Sequence, residues 1–261
     1  MSSAPVLQTA GLTKRFGAFC AVEGVELEVR AGEIHALVGP NGAGKTTLFN
    51  LLTGFLKPTA GTIHYKGQDV TRRNPEWLVR HGITRSFQVS AVFDSLTVRD
   101  NIVLALKKDS DPSYRWWASR EMFARFHEEA EAVLEMVNLV EQADELAGNL
   151  PYGRRRALEL ATAIATRPAL LLLDEPTQGM SYEEIGHITR LISRLARDRT
   201  VLMVEHNMSV IKEVADRVSV LQAGKLLTTG SYNEVSSNPL VVAAYLGGRA
   251  AATPARQKRN V

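Results

Sequence analysis

Nine residues read Gly39-Pro40-Asn41-Gly42-Ala43-Gly44-Lys45-Thr46-Thr47, between an apolar run, Ile34–Val38, and a stretch whose Leu48, Leu51 and Leu52 recur at helical spacing. The pattern of Gly39, four residues, then Gly44, Lys45 and Thr46 is complete, with a strand before it and a helix after it. Its glycines let the backbone curl until several N–H groups point inward at phosphate oxygens. The helix that opens there adds its positive end. Lys45 would bring a point charge to the β- and γ-phosphates, and the Thr46 hydroxyl a ligand for Mg²⁺. A strand running directly into a helix through such a turn already argues for an α/β fold.

A nucleotide site also needs carboxylates at the end of a neighbouring strand. Leu170-Leu171-Leu172-Leu173-Asp174-Glu175 supplies them, and continuous apolar character is expected of a strand covered on both faces. Asp174 is expected in the Mg²⁺ shell and Glu175 beside the attacking water. No Asn-Lys-x-Asp sequence for reading guanine occurs.

The rest of the chain alternates. Val25, Leu27 and Val29 read as a half-exposed strand, and Thr62–Tyr65 and Ile83–Phe87 as short strands. From Val98 to about Gly148 the pattern is helical, with Ala130, Val133, Leu134 and Val137 on one face; Lys107–Ser119, with Pro112, Trp116 and Trp117, reads as a loop. Helices over 154–166, 185–195 and 208–215 then alternate with strands at 169–173 and 201–204, and a hairpin turns at Ala223-Gly224. Strands alternating with helices predict a largely parallel sheet with a helical insertion.

Composition sets the class of partner. No apolar run approaches the ~20 residues that span a bilayer, and Met1–Gly11 lacks the basic start and apolar stretch of a secretory leader. One cysteine, Cys20, fits a reducing compartment. Arg249, Arg256, Lys258 and Arg259 account for four cations; removing them from the net +3 leaves −1 on the body, no footprint for nucleic acid.

Over residues 6–247 these motifs, in order and spacing, resemble the ATP-binding subunit of an ABC transporter. The resemblance implies an α/β P-loop NTPase core at 6–88 and 168–247, a largely parallel sheet with an antiparallel β part. It also implies a helical subdomain at 89–167 and a flexible basic tail at 248–261. By the same resemblance Phe16 stacks on adenine, Gln88 contacts Mg²⁺ or the attacking water, and His206 contacts the γ-phosphate. The family signature, usually Leu-Ser-Gly-Gly-Gln, is here Leu150-Pro151-Tyr152-Gly153-Arg154. Pro151 removes the serine hydroxyl, while the Gly153 N–H and the positive end of its helix are expected to remain available to the opposite subunit's ATP. Arg154 adds charge or faces solvent. Ser181 stands where an Asp is common.

The departures, with Val-Glu205-His206-Asn-Met and a terminal Ala-Tyr-Leu-Gly, look like the branched-chain amino acid and amide or urea importers, the longer of their two ATPase subunits. Implied are ATP and Mg²⁺, two membrane permease subunits, a second identical or different ATPase subunit, indirectly a periplasmic substrate-binding protein, and a cytoplasmic place on the inner face of the membrane. The alternatives are a lipid-type exporter subunit, a soluble non-transport ABC ATPase, and a subunit that binds without hydrolysing.

Overall fold

The computed structural model describes residues 5–86, 92–107 and 120–250, with the side chains of 120–124 and 246–250 left aside. In chain order the strands are β1 Pro5–Phe16, β2 Phe19–Val25, β3 Glu28–Arg30, β4 Ile34–Val38, β5 Ala60–Tyr65, β6 Gln68–Asp69, β7 Ile83–Ser86, β8 Leu170–Asp174, β9 Thr200–Val204, β10 Arg217–Gln222 and β11 Lys225–Gly230. The helices are α1 Lys45–Leu52, α2 Pro75–Arg80, α3 Val98–Lys107, α4 Arg120–Val137, α5 Tyr152–Ala165, α6 Tyr182–Leu195, α7 Met208–Val214, α8 Tyr232–Ser237 and α9 Pro239–Ala250.

The strands divide into a largely parallel sheet and an antiparallel one, in keeping with the α/β core that the resemblance implies. One runs β11-β10-β4-β9-β8-β7, parallel except for the β10–β11 hairpin; the other is antiparallel, built on β1 with β2, β3, β5 and β6. Successive residues of the parallel strands enter different cores. Leu171, Leu173, Val201 and Met203 join the cluster that holds the helices α3–α5, while Leu170, Leu172, Leu202 and Val204 join the one shared with α1 and the antiparallel sheet. Both faces are covered, which is why these strands carry no polar alternation. Ala130, Val133, Leu134 and Val137 are buried on α4 as expected.

Two readings change, and one strand goes unread in the sequence. The strand at Val25–Val29 is two strands, β2 and β3, pairing along different parts of β1. β1 itself carries no clear sequence pattern, because register shifts against β2, β3 and β5 break its alternation. The last helix, α9, takes in residues 248–250, so a tail beginning at 248 starts too early. Gln88, Val89, Ala91, Trp116, Trp117 and the rest of the tail lie outside the described residues. Among the described residues no helix is long and apolar enough to cross a membrane.

Candidate ATP-binding site

The turn between β4 and α1 is held on several sides. Lys45 folds back, its ammonium donating to Gly39 O at 2.7 Å and Pro40 O at 3.0 Å. Gly224 N donates to Ala43 O at 2.9 Å, tying the loop to the β10–β11 hairpin. Gly44 has φ +103°, and a Cβ there would run into the Ala21 carbonyl of β2. Gly39 N–H donates to the Tyr245 phenol on α9, whose titration burial pushes upward. Tyr245 belongs to the Ala-Tyr-Leu-Gly stretch, but nothing in the sequence pairs it with a loop some two hundred residues earlier. Burial pulls the Lys45 ammonium below the ordinary lysine range, opposed by the nearby Glu175 and Asp174 carboxylates. Of the remaining loop residues, Asn41, Gly42 and Thr46 are exposed, and Pro40 and Thr47 half-buried.

Asp174 ends β8 almost fully buried, its Oδ2 2.5 Å from Arg85 Nη2. Glu175 then takes φ +48°, an uncommon backbone state for a non-glycine residue that costs about 1–2 kcal/mol. Its N–H stays on the sheet, donating to Val204 O at 2.9 Å. Its carboxylate meets His206, with Oε1 and Nε2 2.5 Å apart. Parallel pairing of β8 with β9, Asp174 opposite Val204, brings together two residues thirty-one apart in sequence. The strand ends thus gather Lys45, Asp174, Glu175 and His206.

Magnesium takes hard oxygen ligands and usually keeps much of its shell for water and substrate phosphates. Asp174 and Thr46 offer such oxygens, and no group of three or more His, Cys, Asp or Glu among the described residues could hold a metal alone. That donor set fits an ion arriving with nucleotide.

Phe16 stands half-exposed at the end of β1, with Lys14 Nζ 5.2 Å from its ring centroid and Phe19 opposite it across the turn. The signature residues make their described contacts elsewhere. Among the described residues no hydrogen bond or ion pair joins 150–154 to the phosphate loop. Leu150 is buried; Tyr152 donates to Gln178 O at 2.9 Å, and Arg154 to Gln142 Oε1. Pro151 is the N-cap of α5 and supplies no side-chain bond. In the free chain the Glu184 carboxylate lies against Gly153, whose N–H faces it. Glu184 also accepts from Ser181 N at 2.8 Å, so one carboxylate caps α6 and sits at the start of α5. A Cβ on Gly153 would collide with it. Hydrogen bonds from the Ser181 backbone and hydroxyl, with a smaller contribution from the Gly153 amide, hold that carboxyl below its usual range. Ser181, in the place of the common Asp, is the N-cap of α6.

Two further contributors stand outside the residues expected to form the site. Arg156 on α5 donates to Asp174 O at 2.9 Å, bracing the turn that presents Glu175. Glu205, buried behind His206, accepts from His206 N at 2.9 Å and from the Thr177 hydroxyl. Burial pushes its carboxyl up to about 7 from an ordinary 4.5. The folded chain therefore holds this proton more tightly than the unfolded one. Stability is full at pH below the ordinary value and falls as pH rises towards 7, by about 3 kcal/mol at ~1.36 per pH unit. Glu205→Gln, which keeps the protonated shape, should melt several degrees above wild type at pH 8 and with it at pH 4.5. Thermal scans at the two values check this; equal offsets at both would refute the assignment.

The geometry meets known proteins at this point. Residues 22–178 match the ABC transporter family model, and residues 225–251 match that of the branched-chain amino acid ATP-binding cassette transporter. The chain is 38% identical over 252 residues to the high-affinity branched-chain amino acid transport ATP-binding protein BraF of Pseudomonas aeruginosa, covering 94% of this chain and 99% of that one. It is 38% identical over 257 residues to LivG of Escherichia coli, with the same coverage. A solved ATP-binding cassette of an ABC transporter in its ADP conformation superposes with TM-score 0.82 at 30% identity, covering 94% of this chain and all of that one. With these matches spanning the phosphate loop, both acids and His206, the chain belongs to the ABC transporter family as one of its ATP-binding cassettes, an ATPase coupled to transport.

Proposed function

We propose that this cassette hydrolyses ATP with Mg²⁺ to drive an importer of branched-chain amino acids. It would work on the inner face of the cell membrane with two permease subunits, a second ATPase subunit and, through the permeases, a periplasmic substrate-binding protein. Relatives named as branched-chain amino acid transport proteins support the substrate class. The observation that carries hydrolysis is the Glu175–His206 pair at 2.5 Å, close enough to Lys45 for Glu175 to raise the ammonium's proton affinity.

In this reading Lys45 leaves the Gly39 and Pro40 carbonyls for the β- and γ-phosphates, while the amides opening α1 receive the remaining phosphate charge. Glu175 accepts a proton from the water whose oxygen bonds to the γ-phosphorus as the bond to the ADP oxygen breaks. His206 holds the Glu175 carboxylate and contacts the γ-phosphate, and Phe16 stacks on adenine. Asp174, Thr46 and Gln88 would hold Mg²⁺, which when bound neutralises charge on the β- and γ-oxygens. Leu150–Arg154 of one subunit close over the ATP of the other, with Glu184 yielding its place at Gly153 to the γ-phosphate.

A seat for the membrane partner is also supported. A groove of about 540 Å³ runs between the core and the helices α3 and α5, rimmed by Phe55, Phe93 and Leu104, all exposed. Exposed apolar side chains gathered around one groove favour a docked apolar surface such as a permease helix. Phe93 is 55% exposed although its backbone is pinned, N–H to Asn101 Oδ1 at 2.8 Å. Burying a Phe side chain contributes about 1.5–3 kcal/mol. Phe93→Asp should therefore lower recovery of the cassette with its permeases, and uptake of labelled leucine, at least about tenfold, with Mg-ATP affinity unchanged. Equal loss of ATP binding would make Phe93 a core residue. A wild-type transporter that takes up no branched-chain amino acid would remove the substrate class.

A further inference from the structure

Arg85 belongs at once to the nucleotide site and to the docking groove. Its guanidinium reaches Asp174 through Nη2 at 2.5 Å and Asn50 of α1 through Nη1 at 2.6 Å, and lies over the Phe49 ring. The side chain is only 8% exposed and lines the groove, together with its neighbour Ser86. Among the described residues neither Arg85 Nε nor the Ser86 hydroxyl has a hydrogen-bond partner, although both atoms are buried. Buried donors are seldom left unpaired, so two that persist point to a partner still to come. The two unpaired groups are consecutive on β7 and share the groove.

We propose that Arg85 is a positioning residue that links groove occupancy to the Mg²⁺-holding carboxylate. The segment docked in the groove brings oxygen acceptors, carboxylates or free backbone carbonyls, one to Arg85 Nε and another to the Ser86 hydroxyl on the other face of β7. With its third donor satisfied the guanidinium is fixed, and with it the Asp174 carboxylate. Docking then tightens Mg²⁺ binding, and Mg-nucleotide tightens docking by the same factor, since coupling between sites is reciprocal. The idea rests on the permease reading for the occupant of the groove, but not for the Arg85–Asp174 contact.

The experiment titrates Mg²⁺ into ATP and the purified protein, following nucleotide binding by calorimetry in the Glu175→Gln background, for the free cassette and for the assembled transporter in detergent. In the free cassette Arg85→Lys keeps the charge but loses the planar fork that holds Asp174 and Asn50 through separate nitrogens. The half-saturating Mg²⁺ should rise several-fold, with ATP affinity in EDTA unchanged. A merely structural role would lower the EDTA affinity as well. In the transporter the half-saturating Mg²⁺ should be about 5-fold lower than for the free cassette, the low end of usual coupling. That ratio should fall to one in Arg85→Lys and shrink in Ser86→Ala, whose free-cassette titration should match the parent. An unchanged Mg²⁺ requirement for the free Arg85→Lys cassette overturns the link at Asp174, whatever the partner proves to be. A transporter ratio of one in the parent, or one that survives Arg85→Lys, overturns the link to the groove. Failure of the permeases to bind at all would instead refute the permease reading and with it the groove half.

Discussion

Glu175→Gln is expected to slow ATP hydrolysis roughly 10²–10⁴-fold, the usual span for losing a general base. The substitution keeps size and shape, so the uncommon backbone at φ +48° and the bond from Glu175 N to Val204 O have no reason to change. His206 keeps a partner, since an amide can replace the carboxylate at Nε2. What is lost is an oxygen able to take the proton of the attacking water. On the proposed site ATP binding would rest on Lys45 and the phosphate loop and should survive. Steady-state phosphate release and equilibrium ATP binding together check the claim. A rate within about threefold of wild type would place the base elsewhere.

Gly44→Ala should be severe for a different reason. The φ of +103° disfavours any side chain, and the new methyl group would meet the Ala21 carbonyl, which cannot swing away without disturbing β2. Strain and overpacking of this kind cost about 2–4 kcal/mol. Falling on the nucleotide-binding loop, that corresponds to roughly 30- to 10³-fold weaker ATP binding. Gly42, only two residues away, is the control. Its φ is +78°, but a Cβ there meets nothing within 4 Å. Gly42→Ala should cost only about 1–2 kcal/mol of backbone strain, a loss nearer tenfold. Calorimetric ATP titrations of the two variants, with thermal melts to establish folding, test the contrast. Equal losses would show that the close approach of β2 does not matter.

The contrast between Gly44 and Gly42 also marks the limit of what the sequence alone conveys. The strand, loop and helix around Lys45 were legible because one local pattern demands all three. β8 and β9 were legible because full burial leaves runs such as Leu170–Leu173 unmistakable. β1 was not, because its bulges break the period that identifies a strand. Contacts made across the fold left no trace in any local window. Tyr245 on Gly39, Arg156 on the Asp174 carbonyl, and Arg85 on the Asp174 side chain each depend on where two distant elements pack. Gly153 shows a subtler limit. Its place at the start of a helix leads one to expect an affinity for anions, but only the packing of α6 reveals that the Glu184 carboxylate lies against it.

Closure of two cassettes over ATP is the central claim, since the phosphate loop and the signature of one chain make no described contact with each other. On the proposed function the γ-phosphate would join the two surfaces, so that ATP would stabilise the closed pair and ADP would not. The measurement is light scattering after size exclusion on Glu175→Gln at high concentration, with Mg-ATP and with Mg-ADP. Mass should double with ATP and remain that of one chain with ADP. A single-chain mass in Mg-ATP, with nucleotide shown to be bound, would contradict the account.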